Sequence, residues 1–352
     1  MKKLKLAIIG CGGISKGAHV PAYEKMDNVE IVATCDIIKS RAEEVAEKFG
    51  AVAYEDYREV LKLDDVEAVD ICTPNYLHSE IAIAALEAGK HAFCEKPDAV
   101  SVEKVLEMKA ASEKAGKTLM IMRNNRFLPS SRFMKNYIED GKAGMLYAGR
   151  CGWKRRRGIP GKGGWFTTKE QSGGGTLIDL GVHMIDLAMW LMGNPTPVAV
   201  SGSTFCKFAE GSEVADSVHS AFGDAKEDGI FDVEDLAMGF IKFDNGACLQ
   251  IEFSWASNIE KEHNFVEISG DKAGFSWMNG ELKIFGEENG SLVDVAPKFT
   301  EDAGGHANNI NHFVDVVLNG ADPNFVPQQG VNMIKILQAI YQSAETGKEV
   351  IL

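Results

Sequence analysis

The N-terminal third of the chain alternates short apolar runs with longer amphipathic segments. The apolar runs have the length of buried strands, and three of the predicted helices run directly into a glycine, the residue that most readily ends a helix. The predicted strands are Leu6–Ile9, Val29–Cys35, Ala68–Cys72, His91–Cys94 and Thr118–Met122, and the predicted helices are Ser40–Phe49, Leu77–Ala88 and Val102–Ala115. This alternation predicts an α/β fold with a doubly wound parallel sheet over residues 1–123.

The pattern changes after Arg126. Residues Ala247–Trp255 alternate apolar and polar side chains, which is the period of a half-buried strand. The dipeptide Asn245-Gly246 predicts a hairpin that joins this strand to the one before it, Leu236–Phe243. The predicted helices are Pro129–Ile138, Leu177–Leu191 and Val331–Ala344. Residues 124–352 are therefore expected to form an α+β domain with a mainly antiparallel sheet. Whether the C-terminal helix packs back on the first domain is left open.

Composition narrows the classes of partner. The 352 residues carry a formal net charge of −14, and an acidic surface repels nucleic-acid phosphates and anionic lipid. The seven cysteines are odd in number and scattered, which favours reduced thiols over a disulfide framework or a zinc site. No apolar run reaches the ~18 residues of a membrane span, and the apolar start breaks at Gly10, too early for a signal peptide. We expect a cytoplasmic protein that binds neither nucleic acid nor membranes.

A glycine-rich loop, Gly10-Cys11-Gly12-Gly13-Ile14-Ser15, directly follows the first strand. It matches the dinucleotide fingerprint at its first two glycines and has Ser15 in the third place. Glycine lets the backbone approach a pyrophosphate, and a helix N-terminus offers that anion free N–H groups. Asp36 ends the second strand about 20 residues further on, where a carboxylate accepts hydrogen bonds from ribose hydroxyls and repels a 2′-phosphate. The sequence thus predicts an N-terminal Rossmann domain that binds NAD through Gly10, Gly12, Gly13, Ile14 and Asp36.

Four segments resemble the family of glucose-fructose oxidoreductase, inositol dehydrogenase and MocA-like oxidoreductases. They are Thr73-Pro74-Asn75-Tyr76-Leu77-His78, Glu95-Lys96-Pro97, the stretch from Gly173-Gly174-Gly175 to Asp179 and His183, and the closing Ala339–Leu352. The resemblance implies that Lys96 lies beside the nicotinamide and the reacting hydroxyl carbon. It also implies that the cofactor crevice is lined by Thr73, Pro74, Asn75, His78, Glu95 and Lys96. For Asn75 a role as a helix cap alone is the alternative.

Asp179 and His183 are four residues apart, so on a helix they share one face. A histidine exchanges protons near neutral pH, and an aspartate beside it orients the ring or binds substrate. We expect Lys96, Asp179 and His183 to be catalytic. His183 is the first candidate for the base that takes the hydroxyl proton while Lys96 polarises the hydroxyl, and Lys96 as the base is the alternative. Asp186, three residues beyond His183, either supports this face or is an ordinary helix charge.

A basic run, Lys154–Arg157, follows Trp153 and precedes Trp165 and Phe166. Such a run is often only a solvated surface. The functional alternative is a sugar site, because aromatic faces pack on pyranose C–H groups and guanidinium groups donate to hydroxyls. This combination resembles family members that act on pyranosides, including glycoside 3-dehydrogenases and levoglucosan dehydrogenase. We expect substrate contacts from Arg126, Trp153, Arg156, Trp165, Asp179 and His183.

The expected function is oxidation of a secondary ring hydroxyl of a sugar, glycoside or cyclitol, with hydride transfer to NAD. An inositol dehydrogenase and a sugar oxidoreductase that retains its NAD are enzymatic alternatives. A non-catalytic dinucleotide-binding regulator is the alternative from another class, although such a module has no need of Lys96, Asp179 and His183 together. The dispersed histidines predict no metal site. An antiparallel sheet with one open apolar face predicts a homo-oligomer.

Overall fold

The computed structural model describes residues 2–209, 225–300 and 304–352. The chain divides into two compact units: residues 1–123 with 306–334 form the first, and residues 124–305 with 335–352 form the second. The sequence predicts a single division at residue 123. The structure assigns residues 306–334 to the first unit as well, although slightly more than half of the chain lies between them and Arg123.

A six-stranded parallel sheet forms the first unit. Its strands are β1 (Leu4–Ile9), β2 (Val29–Cys35), β3 (Val52–Tyr54), β4 (Ala68–Ile71), β5 (His91–Cys94) and β6 (Leu119–Ile121). They lie in the order β3-β2-β1-β4-β5-β6. The central strands are buried on both faces, which explains their near-continuous apolar sequence. The chain order reverses between β1 and β4, and such a reversal opens a ligand crevice outside the carboxyl ends of the strands.

A nine-stranded mixed sheet forms the second unit. Its strands are β7 (Leu146–Lys154), β8 (Pro197–Phe205), β9 (Leu236–Phe243), β10 (Cys248–Ser254), β11 (His263–Gly270), β12 (Ala273–Met278), β13 (Glu281–Glu288), β14 (Ser291–Val295) and β15 (Val350–Ile351). They lie in the order β14-β13-β12-β11-β7-β10-β9-β8-β15. All neighbours are antiparallel except β7 and β10, which run parallel. The predicted hairpin between β9 and β10 is confirmed.

The α-helices are α1 (Val20–Tyr23), α2 (Lys39–Phe49), α3 (Tyr57–Leu61), α4 (Asn75–Glu87), α5 (Val102–Ala115), α6 (Pro129–Glu139), α7 (Lys169–Ser172), α8 (Val182–Leu191), α9 (Gly305–Asn319) and α10 (Pro327–Thr346). Short 3₁₀ segments lie at Asn124–Phe127 and Trp165–Thr167. Two segments that the sequence predicts to be regular helix begin instead with a wider, π-helical turn. These turns are Ser15–His19, directly after the glycine loop, and Leu177–Gly181, directly before α8. Such turns occur frequently at functional sites.

The predicted fold class is confirmed, because a parallel Rossmann-type sheet is followed by a mostly antiparallel sheet with helices. Strands β11 to β14 and helix α9 are not individually predicted from the sequence. Their apolar residues are interrupted by charged residues and glycine, which weakens the periodic signal.

Candidate active site

The glycine loop contains glycines that are required for different reasons. Gly10 has a φ of +95°, and a methyl group at this position would lie 2.6 Å from the backbone carbonyl of Cys72. A side chain is therefore excluded both by conformation and by the neighbouring chain. A methyl group at Gly12, by contrast, would meet no protein atom within 4 Å. The space beside Gly12 allows a pyrophosphate to approach the backbone, as the fingerprint requires.

Asp36 is directly joined to this loop. One carboxylate oxygen accepts a hydrogen bond from the Cys11 N–H at 2.9 Å, and the other accepts one from the Ile38 N–H at 2.8 Å. Burial and the charge of Asp36 raise the pKa of the Cys11 thiol to about 12, so this cysteine stays protonated. A carboxylate has about four acceptor positions, and two of those of Asp36 are used. Asp36 is half-buried and retains acceptor capacity for the ribose hydroxyls predicted to bind there.

The predicted crevice residues after β4 are closely packed in the first unit. Pro74 precedes the first residue of α4, Asn75, which is 6% exposed. His78 is buried, and its Nδ1 and Nε2 atoms lie 2.8 Å from the carbonyl oxygens of Pro97 and Thr73, respectively. Burial lowers the pKa of His78 below its ordinary value. His78 therefore bridges the segments that follow β4 and β5, and a contact with the cofactor stays a prediction.

A buried charged network lies beneath Glu95 and Lys96. The Nε2 atom of His19 lies 2.9 Å from Oε1 of Glu95, and its Nδ1 atom lies 2.7 Å from Oδ2 of Asp70. Tyr23 donates its hydroxyl to the same Asp70 oxygen at 2.9 Å. His19 is fully buried and Glu95 is 4% exposed, whereas Lys96 is half-buried. The network joins the turn after the glycine loop to the ends of β4 and β5.

The carboxylates of this network hold His19 in its protonated form. Burial opposes the imidazolium, but the charge and hydrogen bond of Asp70 outweigh it and raise the pKa of His19 well above its ordinary value. Burial likewise opposes the Glu95 carboxylate, yet the hydrogen bond and charge of His19 lower the pKa of Glu95 to about 2. His19 and Glu95 are therefore both ionised at neutral pH.

His19, Asp70 and Cys72 also have the spacing of a metal site, since their potential ligand atoms lie within 4.8 Å of one another. Both imidazole nitrogens of His19 already lie at hydrogen-bond distance from carboxylate oxygens, and Cys72 Sγ lies 3.5 Å from its Nδ1. The sequence did not identify this cluster, because its members are dispersed along the chain. We interpret it as an ion-pair network, and the absence of a metal stays a prediction.

In the second unit, the π-helical turn and α8 carry the predicted catalytic pair. Asp179 is in the turn, where the indole N–H of Trp255 donates to its Oδ2 at 2.9 Å. His183 is in the first turn of α8, and its ring centroid lies 5.9 Å from that of Trp153 on β7. Both residues are half-buried, whereas Trp255 is fully buried. Strand β7 thus places Trp153 beside His183, and Trp255, the residue directly after β10, lies beside Asp179.

A buried glutamate holds the glycine run that precedes this turn. The carboxylate of Glu234 accepts hydrogen bonds from the N–H groups of Gly175 and Leu177, both at 2.9 Å, and from the hydroxyl of Tyr341 at 3.0 Å. Methyl groups at Gly174 and Gly175 would collide with Tyr341 and with the backbone of Glu234, respectively. Burial raises the pKa of Glu234 above its ordinary value, against the lowering effect of these donors. The run is glycine because a buried carboxylate and its tyrosine partner approach the backbone closely.

Arg126 and Asp186 form a buried ion pair in the second unit. The guanidinium of Arg126 donates from Nε and Nη2 to the two carboxylate oxygens of Asp186, at 2.8 Å and 2.7 Å. The Arg126 side chain is 1% exposed and that of Asp186 is 6% exposed. Asp186 is therefore a structural partner of Arg126, which connects α8 to the segment before α6. Substrate binding by Arg126 stays a prediction, and this burial argues against it.

The basic run is divided among several environments. Lys154 pairs with Glu252 at 2.6 Å, while the guanidinium of Arg155 lies over the Trp153 ring, 5.1 Å from its centroid. Arg156 is exposed, and its backbone N–H donates to Glu262. Arg157 donates to the Ser257 carbonyl and the Asn258 side chain. Arg155 thus lies against Trp153, which is itself close to His183, and a substrate contact by Arg156 stays a prediction. Trp165 stacks on Phe166 with ring centroids 3.8 Å apart.

Each unit thus brings together part of the predicted site. In the first unit the glycine loop, Asp36, the segment after β4 and Glu95-Lys96 are linked by the contacts above. In the second unit His183 lies beside Trp153, and Asp179 lies beside Trp255. The site residues that sequence reasoning missed are His19, Asp70, Arg155, Glu234, Trp255 and Tyr341. Trp255 was interpreted as part of an apolar strand face, and only the alternation of Trp153 with Arg155 offered a signal for that arginine.

Two family models match the chain. Residues 4–122 match "Oxidoreductase family, NAD-binding Rossmann fold", and residues 135–352 match "Oxidoreductase family, C-terminal alpha/beta domain". These matches confirm the predicted resemblance, the oxidoreductase class and NAD as the cofactor.

Individual relatives are similar over most or all of the chain. D-Glucoside 3-dehydrogenase of Escherichia coli K12 is 34% identical over 99% of this chain and 97% of its own length. Levoglucosan dehydrogenase of Pseudarthrobacter phenanthrenivorans is 33% identical over 77% of this chain and 72% of its own. A solved levoglucosan dehydrogenase in complex with NADH and levoglucosan has a TM-score of 0.86 and 26% identity, and covers 99% of both chains. Among the residues described here, no helix is long and apolar enough to cross a membrane.

Proposed function

Because this chain belongs to the Gfo/Idh/MocA oxidoreductase family, we propose that it oxidises a secondary ring hydroxyl of a neutral pyranoside, with a D-glucoside oxidised at carbon 3 as the leading candidate. The observation that carries this proposal is its similarity to D-glucoside 3-dehydrogenase along almost the entire length of both chains. Inositols are expected to be poorer substrates, and the product is the corresponding keto glycoside.

The residues of the first unit fit the dinucleotide. The open space at Gly12 and the carboxylate of Asp36 beside the Cys11 N–H suit a pyrophosphate and an adenosine ribose, respectively. Asp36 also favours NAD over NADP, because a 2′-phosphate would meet its negative charge. When bound, NAD accepts the hydride, and the hydride carries the two electrons of the C–H bond away from the substrate carbon.

The remaining task of the protein is to remove the hydroxyl proton. We assign His183 as the base that accepts this proton. Asp179 stabilises the positively charged imidazolium that His183 then forms. The indole of Trp255 holds one Asp179 oxygen and so restricts the carboxylate. Lys96 donates a hydrogen bond to the substrate oxygen and stabilises its developing negative charge. Lys96 as the base is the alternative assignment.

The aromatic and basic residues near His183 support a neutral ring as substrate. Trp153 supplies an aromatic ring beside His183, and the guanidinium of Arg155, which lies over this ring, is a donor for ring hydroxyls. A phosphorylated sugar is the rival, because arginine also suits phosphate. If Arg155→Ala abolished activity on sugar phosphates and left neutral glycosides unaffected, the rival substrate class would be correct.

The direct test is a panel of glycosides, free sugars, inositols and sugar phosphates, with NADH formation followed by absorbance. On the best substrate, Lys96→Ala and His183→Ala should each lower kcat by at least ~10²-fold, since a positioned proton-transfer group contributes ~10²–10⁴-fold. Both variants should bind NADH nearly as the wild type does in a fluorescence titration. Near-wild-type kcat in either variant would remove that residue from the chemical step.

We also propose that the protein is a cytoplasmic homo-oligomer that associates through the outer face of its nine-stranded sheet. One face of this sheet is buried, whereas five apolar side chains on the other face are 38–44% exposed: Phe205, Met238, Phe240, Met278 and Phe285. Exposed apolar side chains of this kind favour a second protein surface over water. Light scattering after size-exclusion chromatography would detect the assembly, and Phe240→Glu should dissociate it.

A further inference from the structure

His306 is a half-buried histidine in the first turn of α9, outside every motif that the sequence predicts to be functional. It belongs to the first unit, where its ring centroid lies 6.5 Å from that of His19. Nε2 of His19 in turn lies 2.9 Å from the carboxylate of Glu95, which directly follows β5. His306 therefore lies near the carboxyl end of the parallel sheet, where the ligand crevice of such a sheet opens.

The other histidines of the first unit use ring nitrogens in contacts with the protein. Both nitrogens of His19 lie within 3 Å of carboxylate oxygens, and both nitrogens of His78 lie 2.8 Å from carbonyl oxygens. Nδ1 of His91 and Nε2 of His312 each accept a hydrogen bond from a backbone N–H group. Among the residues that the structure describes, neither ring nitrogen of His306 has a hydrogen-bond partner. Both nitrogens are therefore available to a ligand.

The two carboxylates that follow β5 have partners of their own. One oxygen of Glu95 lies against His19, and the other accepts a hydrogen bond from the backbone N–H of the next residue at 3.1 Å. The carboxylate of Asp98 pairs with the guanidinium of Arg123 at 2.6 Å, and both side chains are buried. The ion pairs of this region therefore do not account for His306. A cofactor contact by Glu95 stays a prediction.

The surroundings of His306 favour its uncharged form. Burial lowers the pKa of His306 below its ordinary value, and the positive charges of His19 and Lys96 lower it further, although the negative charge of Glu95 opposes them. A neutral imidazole has one donor nitrogen and one acceptor nitrogen, and a hydroxyl group likewise both donates and accepts. Phosphate oxygens, by contrast, mainly accept and would favour the imidazolium. The ring of His306 thus suits a neutral hydroxyl-bearing ligand.

We propose that His306 is a substrate-binding residue whose imidazole exchanges hydrogen bonds with a hydroxyl group of a neutral ring polyol. Lys96, which the proposed function assigns to the substrate oxygen, directly follows Glu95 and so belongs to the same end of the sheet. The identity of the ligand rests on that proposed function. The availability of the imidazole rests on its position and its lack of a protein partner alone.

Histidine footprinting of the wild-type protein tests this contact directly. Diethyl pyrocarbonate acylates unprotonated imidazole nitrogens, and peptide mass spectrometry then measures the modification rate of each histidine. The probes are NADH alone, NADH with methyl β-D-glucopyranoside, and NADH with myo-inositol, so that no turnover occurs. We expect NADH alone to leave the His306 rate unchanged, and a polyol at about ten times its dissociation constant to lower it ~10-fold. His263, on β11 of the second unit, is the internal reference.

Each outcome of the footprinting has a definite meaning. Protection by NADH alone would place His306 against the cofactor, and a rate that neither polyol changes would leave His306 without the proposed ligand. Either result overturns the proposal. Protection by myo-inositol, together with turnover of inositols and not of glycosides, would support the role of His306 and contradict a pyranoside as the substrate.

The variant His306→Phe removes both ring nitrogens and keeps an aromatic ring of similar size. On the best polyol its kcat/KM should fall about 5- to 10-fold, mainly through KM, with unchanged NADH affinity. His306→Gln retains a donor and an acceptor and should lose less. His312→Phe, on the same helix, is the matched control and should keep wild-type kinetics.

Monodeoxy analogues of the best polyol identify the hydroxyl group that His306 binds. The loss caused by His306→Phe should disappear for the analogue that lacks this hydroxyl, because the wild type then has no hydrogen bond to lose. An equal loss on every analogue would overturn the proposal. If His306→Phe does not fold, the same comparison is made with His306→Gln, and the footprinting of the wild type still decides.

Discussion

The two glycine-rich segments, Gly10–Gly13 and Gly173–Gly175, both precede a π-helical turn, yet they need glycine for different reasons. Beside Gly12 the first segment leaves open space, whereas Gly175 of the second packs against the backbone of Glu234. Gly12 therefore leaves room for a ligand, whereas Gly175, like Gly10 of the first segment, is required because the protein itself approaches the backbone. Glycine is thus required at position 12 for ligand binding and at position 175 for stability.

A buried carboxylate accompanies each segment, and the pKa values of these two carboxylates are shifted in opposite directions. Glu95 faces the positively charged His19, and its pKa is lowered to about 2. Among the residues that the structure describes, the donors to Glu234 are neutral, and burial raises its pKa. A charged partner offsets the cost of burying a carboxylate, whereas backbone N–H groups and a tyrosine offset it only in part.

The largest effect is expected from Gly175→Ala. Its methyl group would overlap the backbone of Glu234, two residues before β9, so the free energy of unfolding should fall by about 3 kcal/mol or more. Urea denaturation would measure this loss. Gly12→Ala is the matched control, and a wild-type unfolding free energy for both variants would show that the second glycine run is not constrained by packing.

The second prediction concerns the pH dependence of stability. Since the pKa of Glu95 is lowered, its stabilising contribution is complete above its ordinary pKa of 4.5 and is lost as the pH falls toward 2. Wild type should therefore exceed Glu95→Gln by roughly 3 kcal/mol at neutral pH, and the difference should shrink below about pH 4.5.

Glu234→Gln should show the opposite trend. Because the pKa of Glu234 is raised, its contribution is complete at low pH and declines as the pH rises through the folded-state pKa. The stability difference between wild type and this variant should therefore shrink as the pH rises. Denaturation of the three proteins across this pH range would test the contrast, and parallel curves for the two variants would refute it.

Gly12→Ala should act on the cofactor and not on the fold. With open space around the added methyl group, the unfolding free energy should stay within ~0.5 kcal/mol of wild type. NADH affinity should fall by ~10-fold or more, because the methyl group occupies space predicted for the pyrophosphate. Isothermal titration would measure this, with Gly17→Ala as a control at another open glycine. Unaltered NADH binding by Gly12→Ala would place the pyrophosphate elsewhere.

The smallest effect is expected from Trp255→Phe. This variant keeps most of the buried ring and removes the hydrogen bond to Asp179, which is worth about 1 kcal/mol. A kcat loss of about 5-fold with little change in KM would indicate that Asp179 must be held in one orientation. An equal loss in Lys96→Ala and in the double variant Lys96→Ala/Trp255→Phe would show that the indole acts on the same step as Lys96.

The local motifs of the first unit were largely predictable from the sequence. The glycine loop, Asp36 and Glu95-Lys96 each lie directly after a strand, and parallel strands bring their carboxyl ends to one edge. Because short-range strand and helix signals determine that arrangement, the fold class, the cofactor and the oxidoreductase class followed from the sequence and its family resemblance.

Only the tertiary structure decided what holds these motifs in place. His19 meets Glu95 across 76 residues of sequence, and Tyr341 meets Glu234 across 107. A buried polar side chain requires a hydrogen-bond partner, but the amino-acid sequence of the protein does not show which distant donor or acceptor the fold brings within about 3 Å. The sequence therefore determined which residues are chemically able to act, and long-range packing determined which of them are charged, clamped or already paired.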